Sequence, residues 1–144
     1  MKKLLLLTVA MLVALFGFSC RSCYSCGGEE PLSYFVGNWT PVELATLMPS
    51  EIPSDAVVTF TKDSRISGSA GKNSFSAVFL PEKDHSISIG TLVTARVKGE
   101  NSVLHYENTI LRALRQSSSY ERNKNSLVIY DPKGNRLMTL KKAD

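Results

Sequence analysis

The stretch SFSAVFL, residues 74–80, sets Phe75, Ala77 and Phe79 at every second position. Successive side chains of a strand point to opposite faces, so these three share one face of a β-strand. The same period recurs upstream in AVVTFT, residues 56–61, with Ala56, Val58 and Phe60 on one side. Residues 62–64 make a turn, and a strand restarts at Arg65 until the glycines and polar residues at 68–73 interrupt it. Further upstream, residues 34–44 predict a first strand with Thr40, Val42 and Leu44 on one face. Residues 45–55 hold Pro49 and Pro53 and read as a loop. Downstream, residues 81–84 turn, and 86–89 and 90–97 are short extended pieces.

One helix interrupts the strands. Ser102 reads as the N-cap, and Val103, Tyr106, Ile110, Leu111 and Leu114 recur at helical spacing. Arg112 and Arg115 suit the negative end of its dipole. Residues 117–120 return to strand. The chain then closes in a hairpin, 126–130 and 136–140, around the Pro- and Gly-bearing loop 131–135. The pattern predicts a mainly antiparallel β (α+β) domain, a barrel-like sheet of about eight short strands with one α-helix packed against it.

The N-terminus is different in kind. Lys2 and Lys3 precede an almost wholly apolar run, residues 4–18, followed by Ser19 and Cys20. The run is shorter than the roughly 20 residues that span a bilayer, and its basic start fits a signal peptide. A small residue followed by Cys after such a run is similar to the lipobox of bacterial lipoproteins, in which the Cys is acylated and becomes the new N-terminus. The rival reading is an ordinary cleaved signal with Cys20 a bystander. The expected organisation is a signal peptide over 1–19, a flexible tether over 20–33 and a folded domain over 34–144. The expected location is the cell envelope, membrane-anchored on the periplasmic or outer-membrane side.

All three cysteines, Cys20, Cys23 and Cys26, lie in that tether. Their spacing suggests a metal or redox site only if further ligands follow, and no fourth Cys or nearby His does. Burial alone must therefore hold the domain together. The formal charge is +4, of which Lys2 and Lys3 supply two. Between Arg112 and Asp144 eight Lys and Arg face three Asp and Glu, but they are scattered among Ser and Asn. This is a mildly basic surface and not a nucleic-acid footprint.

The order of landmarks resembles the META domain family, whose bacterial members include HslJ-like, heat-shock-type lipoproteins. The matching residues are Gly37-Asn-Trp39, Val58-Thr-Phe60, the stretch RISGSAGKNSF at 65–75, Thr94-Ala-Arg96, Glu107 and Leu114 in the helix, and the closing hairpin. The likeness covers roughly residues 34–142. It implies a link to envelope stress and drug tolerance, and a fold similar to cracked barrels that take an acyl chain between helix and sheet. The family often has one Cys before the central Asn and another after the TxR motif. Lys72 and Gly99 stand there, so any activity of those thiols is absent from this chain.

The residues themselves suggest no chemistry. Gly71-Lys72 leads into a strand, whereas a phosphate loop leads into a helix. Gly68 and Gly71 mark a sharp turn or a close approach of backbones, and Asn73 suits the turn. Trp39 reads as a core plug. His85 sits in a polar turn and His105 on the exposed side of the helix. Glu107 is explained by solvation or a structural ion pair, and no nucleophile or metalloprotease motif occurs. The expectation is a monomeric, non-enzymatic binding module with no cofactor and no metal, held to the membrane by lipid on Cys20. Its partner is an envelope protein or a lipid. The alternative is a lipid-holding carrier or secretion-pilot-like protein. Its apolar site would run between Val103, Tyr106, Ile110 and Leu114 on the helix and Phe75, Ala77 and Phe79 on the sheet. The competing reading is that these side chains simply pack on each other.

Overall fold

The computed structural model describes residues 31–70, 72–95 and 101–143, with the side chains of residue 70 and residues 101–103 also left aside. The alternation at 74–80 forms the centre of β4, Asn73–Pro81, whose inward row is Asn73, Phe75, Ala77 and Phe79. The other strands are β1 (Gly37–Leu44), β2 (Val58–Phe60), β3 (Arg65–Ala70), β5 (Ile87–Ile89), β6 (Val93–Thr94), β7 (Ser119–Asn123), β8 (Ser126–Tyr130) and β9 (Arg136–Lys142). They run in the spatial order β5-β4-β3-β2-β1-β9-β8-β7, every pair antiparallel, with the two-residue β6 also on β4.

The two ends of that order meet. Ser86 bridges Ser119. The Ile87 N–H donates to the Ser118 carbonyl and the Tyr120 N–H to the His85 carbonyl, each at 2.9 Å. Two hydrogen bonds thus draw an eight-strand path into a nearly closed barrel.

Two helices pack against it. The first, α1, is Pro31–Phe35. The sequence predicts strand from Tyr34, because Tyr, Phe and Val favour strands, and places 31–33 in the tether. Instead Pro31 opens a helix, where its missing N–H costs nothing, and Phe35 is driven inward to 0 % exposure. Its ring meets Phe60 at 5.2 Å, Phe79 at 5.4 Å and Tyr120 at 4.7 Å, in tilted and edge-on arrangements. The buried Trp39 indole N–H donates to the Phe35 carbonyl at 2.6 Å, which ties the end of α1 to β1. Trp39 is thus the core plug that its position suggested.

The second helix, α2, is Asn101–Gln116, so Ser102 lies inside its first turn and does not precede it. It lies against β1, β3 and β9. Tyr106, Thr109, Ile110, Leu111, Ala113 and Leu114 are its buried face.

Two local readings change. In β1 the buried residues are Trp39, Pro41 and Leu44, while Thr40 and Val42 are only half-buried. The register against β9 shifts between Pro41 and Glu43. That bulge transfers the inward row from odd to even positions, which strict alternation cannot anticipate. Pro41 lies beyond the β2 pairing, which covers only Gly37–Trp39, so its missing donor breaks no bond on that side. In β3 the strand continues through Gly68 to Ala70. A Cβ at Gly68 would lie 2.5 Å from the Val57 carbonyl oxygen and 2.8 Å from the Phe75 ring. The residue is glycine because two backbones and a ring converge there.

Candidate functional site

The described side chains among those expected to line an apolar site are deep in the protein. Tyr106, Ile110 and Leu114 from α2 and Phe75, Ala77 and Phe79 from β4 are at most 8 % exposed and belong to one core cluster. The side chain of Val103, and Cys20, Cys23 and Cys26, lie outside the described residues. Clefts of about 640, 580 and 180 Å³ indent the described surface; of the expected wall residues that are described, Phe75 alone lines one of these three, the 580 Å³ cleft at β3, β4 and β6, on a side without α2 residues. One polar atom in the core stands out. The Tyr106 hydroxyl is buried without a hydrogen-bond partner among the described residues. Burial first, and then the negative charge of Asp55, push its pKa up to about 12.

The two histidines stay apart. His85 adopts a left-handed backbone, φ 67°, at the barrel closure, and its ring stacks on Tyr120 at 5.3 Å. Next to it, Asp84 is held below the usual carboxylate range by hydrogen bonds from the Ser86 hydroxyl and N–H, at 2.7 and 3.0 Å. His105 is exposed on α2. Asn73 is buried, and its amide donates to the Glu107 carboxylate at 2.6 Å. It therefore joins β4 to α2, where the sequence suggested only a turn, and Glu107 has a structural role. Among the described residues no three His, Cys, Asp or Glu side chains gather as a metal site would require.

The largest of the three clefts, about 640 Å³, lies where the barrel closure ends. Its walls are β5, residues 115–118 at the end of α2, and the hairpin loop at Asp131, Pro132, Lys133 and Asn135. Three local structures build it. Beyond Ser118 the chain leaves β5: the Ser118 N–H turns to the Tyr130 carbonyl and the Ser117 N–H to that of Leu114. Ser117 also ends α2 by donating its hydroxyl to the Ala113 carbonyl at 2.9 Å. The hairpin loop is knotted by Asp131, whose carboxylate accepts from the N–H groups of Lys133 and Asn135 at 2.8 Å and from the Asn135 amide at 2.9 Å. Those bonds, the Asn135 side chain first, hold it below the usual carboxylate range. Gly134 completes the loop at φ 82°. Arg115 and Lys133 form no ion pair among the described residues.

The META domain model matches residues 32–144. The chain belongs to the META domain family. Solved structures share the fold of this chain at low identity. A DUF4847 family protein from Bacteroides vulgatus is 16% identical, with TM-score 0.58, covering 77% of this chain and 96% of that one. A protein from Burkholderia xenovorans, solved by NMR, is 15% identical, with TM-score 0.59, covering 78% of this chain and 86% of that one. A further NMR structure is 19% identical at TM-score 0.59, covering 80% and 96%. No curated protein matches the sequence. In this META domain Lys72 is an exposed turn residue, and Gly99 lies outside the described residues.

The sequence did not point to the cleft. Arg115 reads as a partner of the helix dipole, Lys133 falls in the Pro- and Gly-bearing loop, and nothing in their spacing links them to β5. The usable signals were Gly90, which ends β5, and the serine run at 117–119.

Proposed function

We propose that this protein is an exported lipoprotein, anchored through an acylated Cys20, whose META domain is a non-enzymatic binding module of the cell envelope. The observation that carries the reading is the order of Lys2-Lys3, the apolar run at 4–18 and Ser19-Cys20 ahead of a domain with a filled core. Among the described residues no helix is long and apolar enough to cross a membrane, and a lipid at Cys20 supplies attachment by another route. Each buried CH₂ of an acyl chain contributes roughly 0.8 kcal/mol, and several chains anchor firmly. A module of this kind works through its surface, and a role in envelope stress is the family association it would serve.

The core favours this reading over a carrier. An acyl chain between α2 and the sheet needs space where Ile110, Leu114 and Phe79 are each 0 % exposed. Cells fed a palmitate analogue should label the wild-type chain and not Cys20→Ala. Equal labelling of the two would overturn the anchor.

A further inference from the structure

The cleft at the barrel closure has an unfinished strand on one wall. The bonds from Glu82 N–H to the Ser86 carbonyl and from Gly90 N–H to that of Val78 show which way β5 faces: residues 86 and 90 address β4. By the two-residue period, Ser88 also addresses β4, and Ile87 and Ile89 address the opposite side. The Ile87 N–H is used in the closure, at Ser118. Among the described residues, the outward carbonyl of Ile87, a residue 4 % exposed, and both backbone groups of Ile89 pair with no strand, because the chain turns away at residues 117–118. Such an edge is a template for another extended chain.

The charges around that edge do not cancel. Arg115 and Lys133 carry two positive charges into the cleft, and Asp131 returns one negative charge already saturated by three donors. Lys133 already acts on Asp131 through its charge, and the carbonyl end of α2 adds about half a negative charge, so the positive excess is small. The remainder suits one carboxylate. A volume of about 640 Å³ accommodates a few residues of extended peptide.

We propose that this cleft is a peptide-docking site. An extended segment adds to the Ile87–Ile89 edge through its main chain and places one carboxylate between Arg115 and Lys133. The proposal rests on the reading of the domain as a binding module and names its site and its class of partner. Main-chain pairing supplies affinity with little dependence on side chains, and the carboxylate fixes direction.

The test uses the full chain in mild detergent and a fluorescein-labelled hexapeptide of alternating valine and threonine with a free C-terminal carboxylate. Anisotropy should give a Kd between tens and hundreds of micromolar, about what a short edge provides. Amidating the peptide, or making Arg115→Gln with Lys133→Gln, should weaken binding about tenfold. Methylating alternate peptide nitrogens should abolish it. No binding of the free acid at about 1 mM, or equal binding of the amidated or methylated peptide, overturns the proposal. So does a concentration-dependent dimer that Ile89→Pro abolishes, which gives the edge to a second copy. Loss of labelling at Cys20 would sink the anchor and leave this result standing.

Discussion

Replacing Gly68 by alanine puts a methyl group where two walls already meet. Its Cβ would lie 2.5 Å from the Val57 carbonyl oxygen and 2.8 and 3.0 Å from two carbons of the Phe75 ring. The oxygen cannot withdraw freely, since it accepts the Ser69 N–H at 3.2 Å across the β2–β3 connection. The ring is confined by the core, where Phe75 is 2 % exposed. Overpacking of this kind costs about 1–3 kcal/mol, and a stretched backbone hydrogen bond adds about 1 kcal/mol. A total near 3 kcal/mol is a large share of the 5–15 kcal/mol typical of a domain, and it should lower Tm by roughly 10–15 °C. Trp39, the only tryptophan and fully buried, reports the transition by fluorescence in urea. Gly68→Ala combined with Phe75→Leu should lose less than the sum of the two single changes, because the smaller side chain vacates part of the clash. A Gly68→Ala protein within about 0.5 kcal/mol of wild type would refute the steric argument.

Ile110→Ala should cost about 2–5 kcal/mol by urea unfolding, with no binding of a fluorescent fatty acid to the wild type. A small cost together with fatty-acid binding would revive the carrier. Tyr106→Phe should be neutral or mildly stabilising at pH 7, because it removes a buried hydroxyl that has no partner. The Tyr106 pKa is raised from 10.0 to about 12, so the native state holds that proton more tightly than the unfolded chain does. Its contribution is complete below pH 10 and is lost as pH rises toward 12. Wild type and Tyr106→Phe should therefore diverge only above pH 10. Parallel curves throughout would show that the hydroxyl is solvated.

The parts of the fold visible in the sequence were those whose side chains repeat. Ala56, Val58 and Phe60, the row of Phe75, Ala77 and Phe79, the apolar face of α2 and the loop at 131–135 all carry their geometry in their spacing. The hidden parts depend on where the chain goes elsewhere. The strand-forming residues Tyr34 and Phe35 became helix because the aromatic cluster of Phe60, Phe79 and Tyr120 required a plug. The bulge after Pro41 exchanged the two faces of β1. Ser86 and Ser119 close the barrel, yet neither has an apolar signature, since their backbones do the work. The cleft was illegible for the same reason: β5, the end of α2 and the hairpin loop are distant in sequence and mostly polar.

The place of β9 has a further consequence. It lies between β1 and β8, so the first strand of the barrel finds one of its two neighbours only among residues 136–142. A chain still emerging from a ribosome can assemble β1 through β5 early, but their apolar row then faces an open side. Leu137, Met138 and Leu140, all buried in the finished domain, join that row only after β1 to β8 have been made. Pairing across so long an intervening stretch is slow and leaves apolar surface uncovered meanwhile. Until residues 136–142 are available, β1 lacks its β9 neighbour and the barrel cannot close.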